Sequence, residues 1–524
     1  MKRMTLISNM FTFGCGLACF AILMLAVTPC AMAQSPGYQP GRVAGNCSAL
    51  TMTNFLGIPG APAQVLSARL VPASGNLPAY CLVMGYTAQS IRFKLELPVA
   101  ASWNGNYFFE GCGGFCGTLA YIALGTEPKF GIRGIAEGYA SVTSDTGHAG
   151  NITDGLWAFH DRQAEINYGY LGVHKATLAT KAIVAAYYGR GPRNSYFVGA
   201  SHGGGQAMME AERYPTDYDG IVAQVPDLHT PDTAVLAWQW SIDHLYDASG
   251  KPLLSTADVQ NVHKAALVAC DALDGKRDGI IDDPQKCHFD PGALQCGKIT
   301  GGSWCLSAPQ VDALKAVYAG AHTSAGKLVY PGEEVGSELA WIGTLLPAAP
   351  GAIAQAVILT HSAFQFIAFD PPLGLDYNPR SFNYNTDLAK IQALYHVYDS
   401  SSPDLRQFEA HGGKLLMTAD WADPMVVPGT VLAYYNSLVA TFGGQENLKP
   451  FFRLFMIPGA YHGPLPTEAH APRLYDPLRT ISNWVEHGVA PNSLTVTHVD
   501  TQGKVDMTRT LYPYPQEPAG YQGK

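Results

Sequence analysis

Gly199-Ala200-Ser201-His202-Gly203 sets one hydroxyl between two glycines, a spacing suited to nucleophilic attack. A serine hydroxyl attacks a carbonyl only when a base removes its proton, and an imidazole base needs an acid to fix its tautomer. Both follow in chain order: Asp423 in Asp420-Trp421-Ala422-Asp423-Pro424, and His462 in Pro458-Gly459-Ala460-Tyr461-His462-Gly463. Asp420 stands as the competing acid. Charge building on a substrate oxygen calls for backbone N–H donors, which the cluster Gly111-Cys112-Gly113-Gly114-Phe115-Cys116-Gly117 exposes, although a plain turn has the same composition.

These residues can react together only if the chain aims them. Tyr196, Phe197 and Val198 read as a short buried strand, and Ala207 to Arg213 as a helix that must stop before Pro215. A strand, a tight turn and a helix give the serine an exposed, strained position and direct the helix N-terminus at developing negative charge. Upstream, Ile91 to Pro98 alternates as a half-exposed strand, and Tyr107 to Glu110 is a more buried strand leading straight into the glycine cluster. Ala140 to Thr143 is another short strand, and Tyr168 to Tyr188 runs helically with Leu171, Leu178, Ile183 and Tyr187 on one face. This order predicts a parallel α/β sheet.

The alternation lapses from about Leu228 to Asp399, where scattered aromatics and four cysteines replace it. It resumes with a strand ending at Thr418, a helix from Gly429 to Asn436 and a strand from Phe452 to Ile457. Asp423 and His462 therefore fall in loops just past strands. The expected layout is one α/β domain in two parts, residues 34–228 and 400–524, interrupted by a lid at residues 229–399.

Composition bounds the rest. A chain of 524 residues with 47% hydrophobic and 14% charged residues is long enough for a large core, and its net charge of −9 offers no basic surface for nucleic acid. Residues 1–33 read as a secretory signal peptide: Lys2 and Arg3, an apolar run from Phe11 to Val27, and Ala31-Met32-Ala33 before the cleavage point. No later stretch is long and apolar enough to span a bilayer, so no stable membrane anchor is expected after cleavage, and the protein is expected to be secreted or periplasmic. Eight cysteines follow the leader: Cys47, Cys81, Cys112, Cys116, Cys270, Cys287, Cys296 and Cys305. An even number in an oxidising compartment suggests four disulfides between neighbours in sequence, with many other connectivities open.

The stretch from Asp271 to Asp283 carries five aspartates in thirteen positions, with glycines at tight turns. Hard cations take several oxygens from one looping segment, and Asp271, Asp274 and Asp278 have suitable spacing; a hydrophilic turn between cysteines is the competing reading.

With these residues assembled, the chain resembles the tannase and feruloyl esterase family. The resemblance rests on Trp103-Asn104-Gly105, the glycine run at 111–117, Ser144-Asp145-Thr146-Gly147-His148, Tyr218-Asp219-Gly220-Ile221-Val222, the Cys270 to Gly275 and Asp278 to Ile280 segments, and Ala422-Asp423-Pro424. It implies an α/β-hydrolase core with a large lid inserted between the nucleophile and acid segments, with Ser201 as nucleophile, Asp423 as acid, His462 as base, and Gly114 and His202 N–H groups as an oxyanion hole. It also implies structural calcium held by the carboxylates of Asp271, Asp274 and Asp278 and the carbonyls of Lys276 and Ile280. The family's cysteines before the serine and after the histidine are Ala200 and Gly463 here, so that bridge is absent, and Cys112 with Cys116 is expected to brace the turn at Gly114 instead.

The expected activity is hydrolysis of small aromatic esters, of hydroxycinnamate or gallate type, through an acyl-enzyme. Terephthalate-type esters are the alternative within enzymes, and a non-catalytic hydrolase-like binding protein is the alternative outside them. The neutral acyl group is preferred because no arginine lies between Arg277 and Arg380 to hold a second carboxylate.

Overall fold

The computed structural model describes residues 41–43, 45–88, 90–120, 134–298, 304–462, 471–500 and 502–516. The expected leader at 1–33 and the position of Gly463 lie outside these residues. Residues from Gln39 to Lys524 form one compact unit.

Nine strands build the central sheet: β1 (Ala63–Val71), β2 (Tyr80–Thr87), β3 (Ile91–Pro98), β4 (Tyr107–Glu110), β5 (Ala140–Ser144), β6 (Ser195–Ala200), β7 (Gly220–Gln224), β10 (Lys414–Asp420) and β11 (Phe452–Ile457). Their spatial order is β1-β2-β3-β5-β4-β6-β7-β10-β11. β1, β2, β3 and β5 pair antiparallel, and every pairing from β5 to β11 is parallel. The parallel strands are covered on both faces, which is why Tyr196, Phe197 and Val198 are all buried and β6 shows no alternation. This is an α/β-hydrolase core.

The remaining strands are two hairpins. β8 (Ala321–His322) with β9 (Leu328–Tyr330) lies between β7 and β10, and β12 (Leu494–Val499) with β13 (Val505–Leu511) near the end of the chain.

The segment between β7 and β10 is mostly helical, with helices at Thr256–Cys270, Ala308–Ala319 and Gln355–Phe366. It has its own core around Trp341, Phe364, Ile367 and Leu314, which explains the missing strand rhythm. Its ends meet: His229 and Asp399 form an isolated antiparallel bridge, and Ser400 N–H donates to the Leu228 carbonyl at 3.0 Å. All four expected disulfides form, Cys47–Cys81, Cys112–Cys116, Cys270–Cys287 and Cys296–Cys305.

Two helices are longer than expected. The helix after β6 starts at His202 rather than Ala207, because Gly203, Gly204 and Gly205 are helical here. A Cβ on each would meet Cys112 O at 3.1 Å, Gln224 O at 2.7 Å and Asp227 O at 2.3 Å, so these glycines let the helix close on neighbouring backbone. The helix expected at Gly429–Asn436 runs from Pro428 to Phe442, with proline at its first turn and Gly443 closing it in the left-handed region.

Packing is tightest at Gly199, where a Cβ would sit 2.1 Å from the Gly203 carbonyl oxygen. Gly199→Ala is expected to lower the unfolding free energy by about 1–3 kcal/mol, as forced overpacking does, measured by urea denaturation. A loss under about 0.5 kcal/mol would mean the turn relaxes freely.

Candidate active site

Ser201 sits at the end of β6 with φ +61° and ψ −125°, the strained turn that lifts its side chain out of the sheet. Its backbone is pinned from both sides. Ser201 N–H donates to Gln224 O at 3.1 Å, and Ser201 O accepts from Gly205 N–H at 3.1 Å and Asp227 N–H at 2.9 Å.

His462 follows β11, and Asp423 follows β10. His462 Nε2 lies 3.0 Å from Ser201 Oγ, and its Nδ1 lies 2.7 Å from Asp423 Oδ2. An ionised carboxylate only accepts, so Nδ1 carries the proton and Nε2 is left free to accept from the serine hydroxyl. The other oxygen, Asp423 Oδ1, accepts from Met425 N–H at 2.7 Å and Val426 N–H at 2.9 Å. That turn is tied to the insertion, since Trp238 Nε1–H donates to Met425 O at 2.9 Å.

The rival acid is thereby separated from Asp423: both ring nitrogens of His462 are engaged, neither with Asp420. Asp420 ends β10 and is buried; burial pushes its carboxyl up to about 7, Arg473 works against this, and Asp423 adds to it. Glu333, from the insertion, is a further buried carboxyl held well above its usual range by burial and by the charge of Asp423.

The glycine cluster after β4 packs on the start of the helix that follows Ser201. A Cβ on Gly111 would come within 3.0 Å of Gly203 Cα. Cys116 N–H donates to Gly113 O at 3.1 Å and Phe115 N–H to Ile152 O at 2.7 Å. Gly114 has φ +55°, and a Cβ there would lie 2.3 Å from Ile152 O, so the position requires glycine. Among the described residues neither Gly114 N–H nor His202 N–H, the first of its helix, finds an acceptor. The Cys112–Cys116 disulfide spans this turn, and Gln206 clamps it to the helix: Oε1 accepts from Cys112 N–H at 3.2 Å while Nε2 lies 3.1 Å from Cys112 Sγ.

A family model described as tannase and feruloyl esterase matches residues 77–524. The chain belongs to the tannase and feruloyl esterase family. It is a carboxylic ester hydrolase, which sets aside the reading as a non-catalytic binding protein. An uncharacterized esterase of Xanthomonas campestris pv. campestris is 34% identical over 485 residues, spanning 84% of this chain and 81% of its own length. The mono(2-hydroxyethyl) terephthalate hydrolase of Piscinibacter sakaiensis is 31% identical over 512 residues, spanning 85% of this chain and 83% of its own. The crystal structure of feruloyl esterase B from Aspergillus oryzae shares the fold with a TM-score of 0.75 at 24% identity, covering 86% of this chain and 93% of that one.

The acidic loop implied by family resemblance follows the helix Thr256–Cys270 and is closed by Cys270–Cys287. Asp271 Oδ1 accepts from Asp278 and Gly279 N–H groups at 3.2 Å each, and Asp274 Oδ1 accepts from Lys276 N–H at 3.0 Å. Asp274 Oδ2 is buried without a hydrogen-bond partner. Burial pushes the Asp282 carboxyl up to about 6, with Arg509 opposing and Asp274 and Asp278 adding like charge. An orphaned carboxylate oxygen in a crowded, all-oxygen loop fits a hard cation.

The Asp271, Asp274 and Asp278 carboxylates do not close to within 4.8 Å of one another; Asp278 and Asp282 instead face the Arg509 guanidinium from β13. Among the described residues the one such closed set is His174, Glu210 and Asp217. Burial raises the Glu210 carboxyl well above its usual range, and His174 Nδ1 lies 2.6 Å from Asp217 Oδ2, so two members of that cluster already bond each other.

Tyr168, Gln206, Glu333 and Arg509 were not singled out by their sequence context.

Burial by itself would lower the His462 pKa, but the Asp423 charge, its hydrogen bond and Asp420 outweigh it, and the net shift is upward from 6.5. Protonation places a cation against Asp423, so the charged ring persists to higher pH. An NMR titration of the His462 imidazole is expected to give a midpoint above 6.5, falling in Asp423→Asn. A midpoint indifferent to that substitution would separate the two groups.

Proposed function

We propose that this esterase is a serine enzyme that cleaves aromatic esters of hydroxycinnamate or gallate type in a secreted or periplasmic setting. The observation carrying the reading is the unbroken series Asp423–His462–Ser201, with contacts of 2.7 and 3.0 Å. His462 Nε2 takes the hydroxyl proton as Ser201 Oγ attacks the ester carbonyl carbon. The carbonyl oxygen, now an anion, is held by Gly114 and His202 N–H groups. Collapse expels the alcohol, which receives the proton from His462. Water, deprotonated by the same ring, then attacks the acyl-enzyme and frees the acid and Ser201.

An oxidising compartment is supported by four disulfides, and among the described residues no helix is long and apolar enough to cross a membrane. The aromatic acyl group is supported by the ring-rich composition of the insertion, since planar groups stack on aromatic faces. A neutral acyl group is supported by Arg380, whose Nη1 donates to Asp247 O at 2.7 Å and whose Nη2 lies 3.4 Å from Tyr246 O. The relative named for terephthalate hydrolysis supports the competing substrate, a carboxylated aromatic ester. Calcium at Asp271, Asp274 and Asp278, with the Lys276 and Ile280 carbonyls, would neutralise the loop and order it between helix and hairpin; it takes no part in the ester chemistry.

Ser201→Ala is expected to lower kcat by at least about 10⁴-fold; turnover near wild type would refute the serine mechanism. Methyl ferulate or methyl gallate is expected to exceed a carboxylated benzoate ester in kcat/KM by about tenfold or more, the scale of one unmet charge contact; the reverse order would favour the terephthalate reading. Chelation is expected to remove one calcium per chain and lower Tm by about 3 °C or more; unchanged metal content and Tm would refute the calcium assignment.

A further inference from the structure

We propose that Tyr168 is the positioning residue of the oxyanion hole, one buried side chain that anchors the Gly114 turn through its hydroxyl and the His202 end of the nucleophile helix through its ring. The inference rests on the serine-esterase reading, with Gly114 and His202 N–H groups as the donors.

Tyr168 is 1% exposed, and its hydroxyl donates to Gly114 O at 3.1 Å. Its ring stacks on the His202 imidazole with centroids 4.0 Å apart and planes within 3°. These contacts reach both donors from below, at the point where two separate chain segments must agree in position.

The Gly114 side is a matter of peptide planes. Gly113 O accepts from Cys116 N–H, and because the peptide is trans the Gly114 N–H points the opposite way. The next plane is held at both of its polar ends: Phe115 N–H by Ile152 O, and Gly114 O by the Tyr168 hydroxyl. Gly114 links the two planes, and glycine has no Cβ to resist rotation, so its angle is only as fixed as the partners on either side. Without the phenol, the second plane loses half of its hold.

The His202 side is a matter of contact. Its ring is buried, Nδ1 lies 3.2 Å from Thr230 Oγ1, and Nε2 has no partner. Burial drives its pKa down to about 3, so the stack on Tyr168 is one of neutral rings. Behind Tyr168 lie Trp157, at 4.9 Å between centroids, and Tyr398, edge-on at 6.0 Å. His148 stacks on Trp157 at 3.8 Å and its Nε2 lies 2.7 Å from Phe115 O, which extends the support to the next carbonyl of the same turn. Tyr168 itself lies on a single π-helical turn, Asn167–Leu171, an irregularity that re-aims side chains relative to the helix that follows.

A buried tyrosine can also be an ordinary core residue with a satisfied hydroxyl. The two roles differ in what they move. Tyr168→Phe keeps the ring and its stack and removes only the hydroxyl. Its kcat is expected to fall about tenfold to a hundredfold, a fraction of the loss from removing a donor outright, with KM within about twofold and Tm nearly unchanged. Affinity for an arylboronic acid, which forms a tetrahedral adduct on Ser201, should fall by the same factor as kcat, while affinity for the free aromatic acid stays constant. Tyr168→Met, which fills the volume without ring or hydroxyl, should lose more kcat and serves if Tyr168→Phe does not fold.

A Tyr168→Phe kcat within twofold of wild type, or equal losses of affinity for the boronic acid and the free acid, would overturn the proposal. Ser201→Ala assayed alongside separates the two levels: if it is inactive while Tyr168→Phe is unchanged, only the role of Tyr168 falls. If Ser201→Ala turns over normally, the serine reading falls and takes this one with it.

Discussion

The chemistry hangs on a backbone angle. Holding a non-glycine residue at φ +61°, ψ −125° costs on the order of 1–3 kcal/mol, and Ser201 stays there because its N–H and carbonyl are both committed to neighbouring backbone. The surrounding glycines are the other half of the constraint. Gly199 and Gly203 nearly touch, and Gly203, Gly204 and Gly205 let the helix press against the loops that follow β4 and β7. One consequence is the 3.0 Å reach to His462; another is that the helix begins at the residue directly after Ser201.

Much of this was legible in the residues because it is local. β3, β4 and β11 were readable to their ends, since alternation or an unbroken apolar run stops at a proline, a glycine cluster or Pro458. The helix after Ser201 was read too short because three successive glycines count against a helix until their close neighbours are known. The acid was read as Asp423 with Asp420 as its rival, because the two share one turn, and what separates them is which carboxylate faces the ring. Tyr168 and Gln206 were beyond reach for a different reason. Their partners lie 54 and 94 residues away, and no spacing encodes a hydrogen bond to a carbonyl or a backbone N–H that far along the chain.

The histidine loop lacks the family's tie to the serine, since position 200 is alanine, yet it is held otherwise. Trp421 N–H donates to Ile457 O at 2.9 Å and Ala422 N–H to Ala460 O at 3.1 Å, so the acid and histidine loops are laced to each other. Arg473 Nη1–H then donates to Tyr461 O at 2.8 Å. Backbone and guanidinium bonds thus take the place of a covalent link on one side of the site, while the Cys112–Cys116 bridge stiffens the other.

The paired neck at His229 and Asp399 has a consequence for how such a protein can diversify. A segment whose ends are neighbours is a cassette, replaceable by another of different length without changing the register of any strand in the sheet. Its freedom is bounded by the points at which it grips the core, above all Trp238 on the Met425 carbonyl. Other insertions can therefore be carried on the same sheet, provided each replacement brings its own means of steadying the turn at Asp423.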